Sequence, residues 1–178
     1  MSGIRRIYRI NNSARSLDFF LDRDPDDPRF DMDQPYQRGV VWGLKRKQNL
    51  IKSVLMGVPI PAILINNRFD AKFSHPDYSR DRCWAYAIVD GKQRVSTFQQ
   101  FVANRFPVPL EWFQDMGRGP IFYGQLSLAN QRHVRNNSIP VAEGFFKTLE
   151  EEQELFDLIN FGGLAQGETD EDLDEEQL

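Results

Sequence analysis

The sequence predicts an α+β domain: a small mixed β-sheet with helices packed on it. Two observations carry that prediction. Short apolar stretches rich in β-branched and aromatic residues alternate with longer segments whose apolar residues recur at helical spacing. Their order lacks the regular strand–helix–strand rhythm of a parallel α/β fold. A third observation bounds the size. With 178 residues, 40% hydrophobic and 12% aromatic, including 14 Phe, the chain can bury a core without disulfide or metal staples.

The elements follow in chain order. Alternating Ile4, Ile7, Tyr8 and Ile10 suggest a first strand within residues 1–12. Ser13 is placed to cap a short helix over 14–21, with Leu17, Phe20 and Leu21 on one side. Residues 22–35, dense in Asp and Pro, read as a loop. A helix is expected over 45–56, where Leu50, Ile51, Val54 and Leu55 make one apolar stripe. Gly57 ends it as a C-cap, and Pro59 follows. Residues 62–65 read as a buried strand and the polar stretch 66–82 as a loop or hairpin. A second strand is expected over 84–89 and a second helix over 93–104, burying Phe98, Phe101 and Val102. Residues 107–124 are irregular. Ser127 caps a helix to about 136, a strand follows over 138–142, and Thr148 with Glu151 has capping-box spacing. That last helix carries Leu155, Phe156 and Ile159 and stops within 160–163.

Composition excludes several function classes. No apolar run approaches the roughly 20 residues that span a bilayer. Residues 1–10 hold arginines but no apolar signal core, so the expected compartment is the cytoplasm. The single cysteine, Cys83, excludes an internal disulfide and argues against a Cys-based metal site. His75 and His133 have no partner at ligand spacing. The net charge of −4 hides an asymmetry. Residues 167–178, GETDEDLDEEQL, carry seven acids and no base; the rest holds 22 basic against 19 acidic residues (26 less 7). The chain therefore reads as one domain over 1–166 with a disordered acidic tail over 167–178. The body is too weakly basic to indicate nucleic-acid binding by charge alone.

One turn stands out chemically. Asp90-Gly91-Lys92-Gln93-Arg94 lies between the expected strand at 84–89 and the helix at 93–104. A helix start has unpaired N–H groups and the positive end of the macrodipole, and glycine lets the backbone approach a ligand, so this is a ready anion site. Lys92 and Arg94 add charge, and Ser96 and Thr97 can add hydroxyls. Asp90 is placed to hold a hydrated Mg²⁺ or a water. Taken alone, the same residues also suit an ordinary solvated turn. A second cluster, Tyr36-Gln37-Arg38 with Trp42, offers a further phosphate partner and a stacking surface, or equally a loop anchor with a surface arginine. The basic run 45–47 hints at a positive edge near Arg38, and 132–135 reads as a solvated face or a phosphate-backbone contact.

The two clusters occur together and in order. Tyr36-Gln37-Arg38 and Trp42, then Ile51-Lys52-Ser53 through Gly57-Val58-Pro59-Ile60-Pro61, then Asp90-Gly91-Lys92-Gln93-Arg94 through Thr97-Phe98, closely resemble the N-terminal domain family of GmrSD-type restriction enzymes. Phe156 to Gly163 is similar to that family's F-x-x-x-N-x-G-G segment, which brings Asn160 into the candidate site. The resemblance covers about residues 30–164 and implies a ParB/sulfiredoxin-like fold. It implies binding or hydrolysis of a nucleoside triphosphate, coupled to restriction of modified foreign DNA. Carried over by position, the resemblance implicates Asp90, Gly91, Gln93 and Arg94, with Gln37 and Arg38 opposite; with Lys92, Ser96 and Thr97 from the turn itself, the phosphate-binding set is Gln37, Arg38, Gly91, Lys92, Arg94, Ser96, Thr97 and Asn160. The catalytic set is Asp90, Gln93 and Arg94, with Gln37 or Gln93 orienting a water and Asp90 serving Mg²⁺. Two positions depart from the family pattern: Lys92 stands where a Gln is usual and Leu158 where an Arg is usual. Long members continue into a helical region and often an HNH-type nuclease domain, and neither is expected after Gly163. Three function classes stay open: a nucleotide-binding domain with weak hydrolysis, a DNA-directed module or nuclease, and a catalytically silent protein acting on a partner protein or a second copy of itself.

Overall fold

A computed structural model describes residues 8–21, 29–74, 85–113 and 117–161. Among them lie seven strands and five α-helices. The strands are β1 (Ile10–Ser16), β2 (Phe30–Asp31), β3 (Ile63–Asn67), β4 (Tyr86–Asp90), β5 (Val108–Pro109), β6 (Pro120–Ile121) and β7 (Ser138–Gly144). The helices are α1 (Leu44–Leu55), α2 (Arg68–Ala71), α3 (Lys92–Val102), α4 (Leu128–Asn136) and α5 (Leu149–Phe161). The main sheet runs β1-β7-β3-β4-β2. β1 is antiparallel to β7, β7 parallel to β3, β3 antiparallel to β4, and β4 parallel to β2. It is the expected α+β architecture, a mixed five-stranded sheet packed with helices.

The central strands are apolar on both faces because both are covered. Ile63, Ile65 and Ile88 join Val95, Phe98 and Phe101 of α3 and Leu50, Ile51 and Val54 of α1 in the main core. Their neighbours Leu64 and Val89 point to the other face, where Leu155 of α5 and Phe146, from the segment between β7 and α5, cover them. Phe98 and Phe101 are fully buried, each worth about 1.5–3 kcal/mol of transfer free energy. Gly57 takes φ +68 just after α1, as its C-cap role requires. Ser127 Oγ accepts from Asn130 N at 3.2 Å and starts α4. Thr148 Oγ1 accepts from Glu151 N at 3.3 Å, while Glu151 reaches back to Lys147 N rather than to Thr148 N.

Four expectations are corrected. The helix over 14–21 is instead the end of β1 followed by a single 3-10 turn, Leu17–Phe20. Ser13 pairs with Val141 across a seven-residue ladder to β7, which outweighs its capping preference. Leu17, Phe20 and Leu21 are nevertheless buried. Where the sequence reads as a loop over 22–35, Phe30–Asp31 form β2, a two-residue parallel addition to β4. The polar stretch after residue 65 is no surface loop at its start: Asn66 and Asn67 finish β3, and Asn66 and Arg68 are buried. Within 107–124, Val108–Pro109 and Pro120–Ile121 form a small antiparallel ladder. The expectations for residues 1–7, 22–28, 75–84, 114–116 and 162–178, including the acidic tail, lie outside the described residues. No helix among the described residues is long and apolar enough to cross a membrane.

Candidate functional site

β4 ends at Asp90, and Gly91 turns the chain into α3 with φ +103 and ψ 12. The turn needs glycine twice over. That backbone conformation is strained for other residues. A Cβ there would also sit 3.1 Å from Ile63 Cγ1 and 3.1 Å from Arg94 Nη2. The first intrahelical bond is Val95 N to Gly91 O at 3.0 Å, so the amides of Lys92, Gln93 and Arg94 have no acceptor inside the helix. No side chain caps this end.

Around it lies a cavity of about 690 Å³. Its lining draws on four parts of the chain: the segment 36–42, Arg46 of α1, the turn 90–94, and one side of α5. Arg38 and Arg94 thus line one cavity. Four cationic side chains, Arg38, Arg46, Lys92 and Arg94, face two carboxylates, Asp90 and Asp157. Arg94 Nη2 donates to Asp90 Oδ2 at 2.6 Å and to Ala62 O at 3.3 Å, while its Nε is buried without a partner. Lys92 Nζ reaches Asp33 at 2.9 Å, a carboxylate 94% exposed. Arg38 is exposed and has no ion pair among the described residues. The Arg46 guanidinium lies 4.6 Å over the Trp42 ring, so the aromatic wall carries charge as well.

The two glutamines do different work. Gln93 Nε2 donates to Gly39 O at 2.7 Å, and its Oε1 accepts from Val41 N at 3.0 Å and Trp42 N at 3.3 Å. Both ends of its amide are committed to holding the 39–42 loop, so the geometry makes Gln93 a bracket rather than a water-orienting group. Gln37 Nε2 donates to the carbonyls of Ile88 and Val89 at 2.7 and 2.6 Å, tying the loop to the end of β4. Its Oε1 is left buried and unpaired.

Ser96 and Thr97 do not reach the cavity. Both are buried; Thr97 Oγ1 donates back to Gln93 O at 2.7 Å, and Ser96 Oγ accepts from Gln100 at 2.8 Å. Asn160 does line the cavity, with Nδ2 donating to Phe156 O at 2.8 Å. Leu158, where the Arg of the family pattern would stand, is 56% exposed and outside the lining. Sequence reasoning misses the contribution of Gln153, Phe156 and Asp157. Their spacing with Asn160 at i, i+3, i+4 and i+7 is the available signal. Arg46, which in sequence reads as part of a basic edge at 45–47, also belongs to the site.

Behind the cavity lies a buried ionic cluster that sequence reasoning does not single out. Arg68 is held by Glu152 at 2.8 and 2.6 Å and by Asp31 at 2.7 Å. Burial works against the Arg68 charge, but the hydrogen bonds and charge of Glu152 outweigh it and raise the guanidinium pKa. Tyr36 OH donates to Glu152 at 3.3 Å, and burial first, then the Glu152 charge, pushes the Tyr36 phenol well up from 10.0. Among the described residues no group of three His, Cys, Asp or Glu side chains is arranged to hold a metal.

A family model for the N-terminal domain of the GmrSD restriction endonuclease matches residues 23–176. No curated protein and no solved structure matches the chain.

Proposed function

This chain belongs to the N-terminal domain family of the GmrSD restriction endonuclease, and from that premise we propose that its cavity binds the phosphates of a nucleoside triphosphate and hydrolyses it slowly. The observation that carries the reading is that Arg38 and Arg94, from distant parts of the sequence, line one cavity at a helix start with free amides. Arginine suits phosphate oxygens because its planar fork can bind two at once. Gly91 lets the backbone come close to them.

Each remaining residue then has a distinct task. Gln93 holds the 39–42 loop and with it the Trp42 wall on which a base can stack. Gln37 has its amide nitrogen fixed by two carbonyls, which fixes the direction of Oε1; a small shift there would let it accept from an attacking water. Arg94 lies on Asp90, and an arriving phosphate competes for that guanidinium. The donor set fits a hydrated Mg²⁺ brought in with the nucleotide, not a metal caged by protein. Asp90 Oδ1 is the oxygen not engaged by Arg94, and Asp157 is the second carboxylate on the lining. Such an ion would neutralise charge on the phosphate oxygens. Action on foreign DNA belongs to the restriction system as a whole, in which this domain would handle the nucleotide in the cytoplasm. A ParB/sulfiredoxin-like ancestry is part of the same reading, supported by the family and the mixed sheet.

A thermal-shift panel of ATP, GTP, CTP and UTP, each with and without Mg²⁺, tests this. A nucleotide at about 100 times its Kd should stabilise the fold by about 2.7 kcal/mol, and Arg94→Ala should abolish the shift. If no nucleotide shifts the parent, the reading is wrong.

A further inference from the structure

Helix α5 supplies one wall of the cavity, yet little apolar surface holds it down. Leu155 is buried and Phe156 half-buried, while Leu158 and Ile159 face outward. Among the described side chains of the helix the deepest is instead a carboxylate, Glu152, with 0% exposure.

Four donors fill that carboxylate. Arg68 forks onto both oxygens at 2.8 and 2.6 Å, Asn66 Nδ2 reaches Oε1 at 2.7 Å, and Tyr36 OH reaches Oε2 at 3.3 Å. The donors are themselves fixed. Asn66 exchanges two bonds with the Phe146 backbone at 2.8 and 2.9 Å. Arg68 is held by Asp31 and Gln34 and lies 4.2 Å over the Phe73 ring. The cluster is rooted in β3, at the centre of the sheet. On the helix, Phe156 and Asn160 follow Glu152 at i+4 and i+8 on the adjoining side, with Gln153 and Asp157 next to them round the helix, so fixing the rotation of α5 at Glu152 fixes where those residues point. Tyr36 carries the same constraint to the 36–42 segment, since its ring packs on Phe156 at 5.2 Å.

A buried ion pair is poor evidence for stability, because desolvation offsets most of its attraction, whereas a fully bonded fork specifies one geometry. Apolar contact alone tolerates sliding and rotation. We propose that Glu152 is a positioning residue for the anion cavity: it sets the rotation and depth of α5, and ligand affinity depends on it although it is not on the cavity lining. The inference rests on the reading of the cavity as a phosphate site.

The test uses inorganic triphosphate as probe on the full chain, with affinity by calorimetry, Tm by melting, and amide exchange along α5. Glu152→Gln keeps the shape but loses the charge of the fork. It should fold, exchange α5 amides faster, and bind triphosphate about ten-fold more weakly or worse, as small misplacements do in organised sites. Asp31→Asn loosens Arg68 from outside the cavity and should act in the same direction, more mildly. It stands in should Glu152→Gln fail to fold. The paired change Arg68→Met with Glu152→Leu removes both charges and should recover Tm without recovering affinity. Recovery of both together would make the pair merely structural and overturn the proposal, as would parental affinity in Glu152→Gln and Asp31→Asn. A parent that binds no triphosphate would instead overturn the phosphate reading itself, and this inference with it.

Discussion

Replacing Gly91 by alanine separates two costs that the structure places at one residue. The backbone cost comes from φ +103, where an L side chain is strained by about 1–2 kcal/mol. The packing cost comes from a new methyl 3.1 Å from Ile63 Cγ1 and 3.1 Å from Arg94 Nη2. Arg94 can swing aside, but only by giving up its 2.6 Å bond to Asp90. Ile63 is fully buried in a central strand and cannot retreat, and overpacking of this kind costs about 1–3 kcal/mol. Gly91→Ala should therefore lose roughly 2–5 kcal/mol and its phosphate affinity together. Gly57 is the control: its φ is +68 and an added methyl would meet nothing within 4 Å, so Gly57→Ala should lose only the backbone contribution of about 1–2 kcal/mol. Urea unfolding midpoints at constant m measure both. Equal losses for the two variants would refute the packing argument and the close approach of Arg94 to this turn.

Three further outcomes are expected. Gln93→Ala releases three hydrogen bonds to residues 39–42 and should cost about 1–3 kcal/mol, with faster amide exchange at Val41 and Trp42; unchanged exchange there would remove its bracket role. Thr97→Val should leave triphosphate affinity unchanged because the hydroxyl faces Gln93 O inside α3, and a loss of ten-fold or so would return Thr97 to the site. Tyr36 is held neutral by burial and by Glu152, so its contribution is complete below the ordinary pKa of 10.0. Above it the unfolded chain ionises first and Tyr36 adds a fall in stability of up to about 1.4 kcal/mol per pH unit; Tyr36→Phe should lessen the slope by that amount in denaturation curves across that range, leaving the part due to Tyr8 and Tyr86.

The parts of the fold that can be read from the sequence are those whose information is local. α1 and α3 declare themselves by apolar stripes that the structure buries, and Ser127 and Gly57 mark helix ends by their own side chain or backbone. The turn at 90–94 is legible because a glycine sits between a strand and a helix. β1 is legible only at its start, residues 10–12, since all seven of its residues are exposed and from Ser13 on only the pairing with β7 makes them a strand. Arg68 and Asn66 look like loop residues because burial of a charge depends on a partner, and Glu152 is 84 positions from Arg68. Ser96 and Thr97 fall near the turn by adjacency in sequence, but the helix points them inward. α5 joins the cavity through a stripe of mixed polarity, which periodicity of apolar residues alone does not pick out.

The central claim is that Arg38 and Arg94 grip one phosphate-bearing ligand. A double-mutant cycle measured by calorimetry, with triphosphate and the parent, Arg38→Ala, Arg94→Ala and the double variant, tests it most directly. Each single change should weaken binding by ten-fold or so, and the two should couple by about 0.5–3 kcal/mol because they act on shared oxygens. Strictly additive losses, or single variants that bind as the parent does, would contradict it.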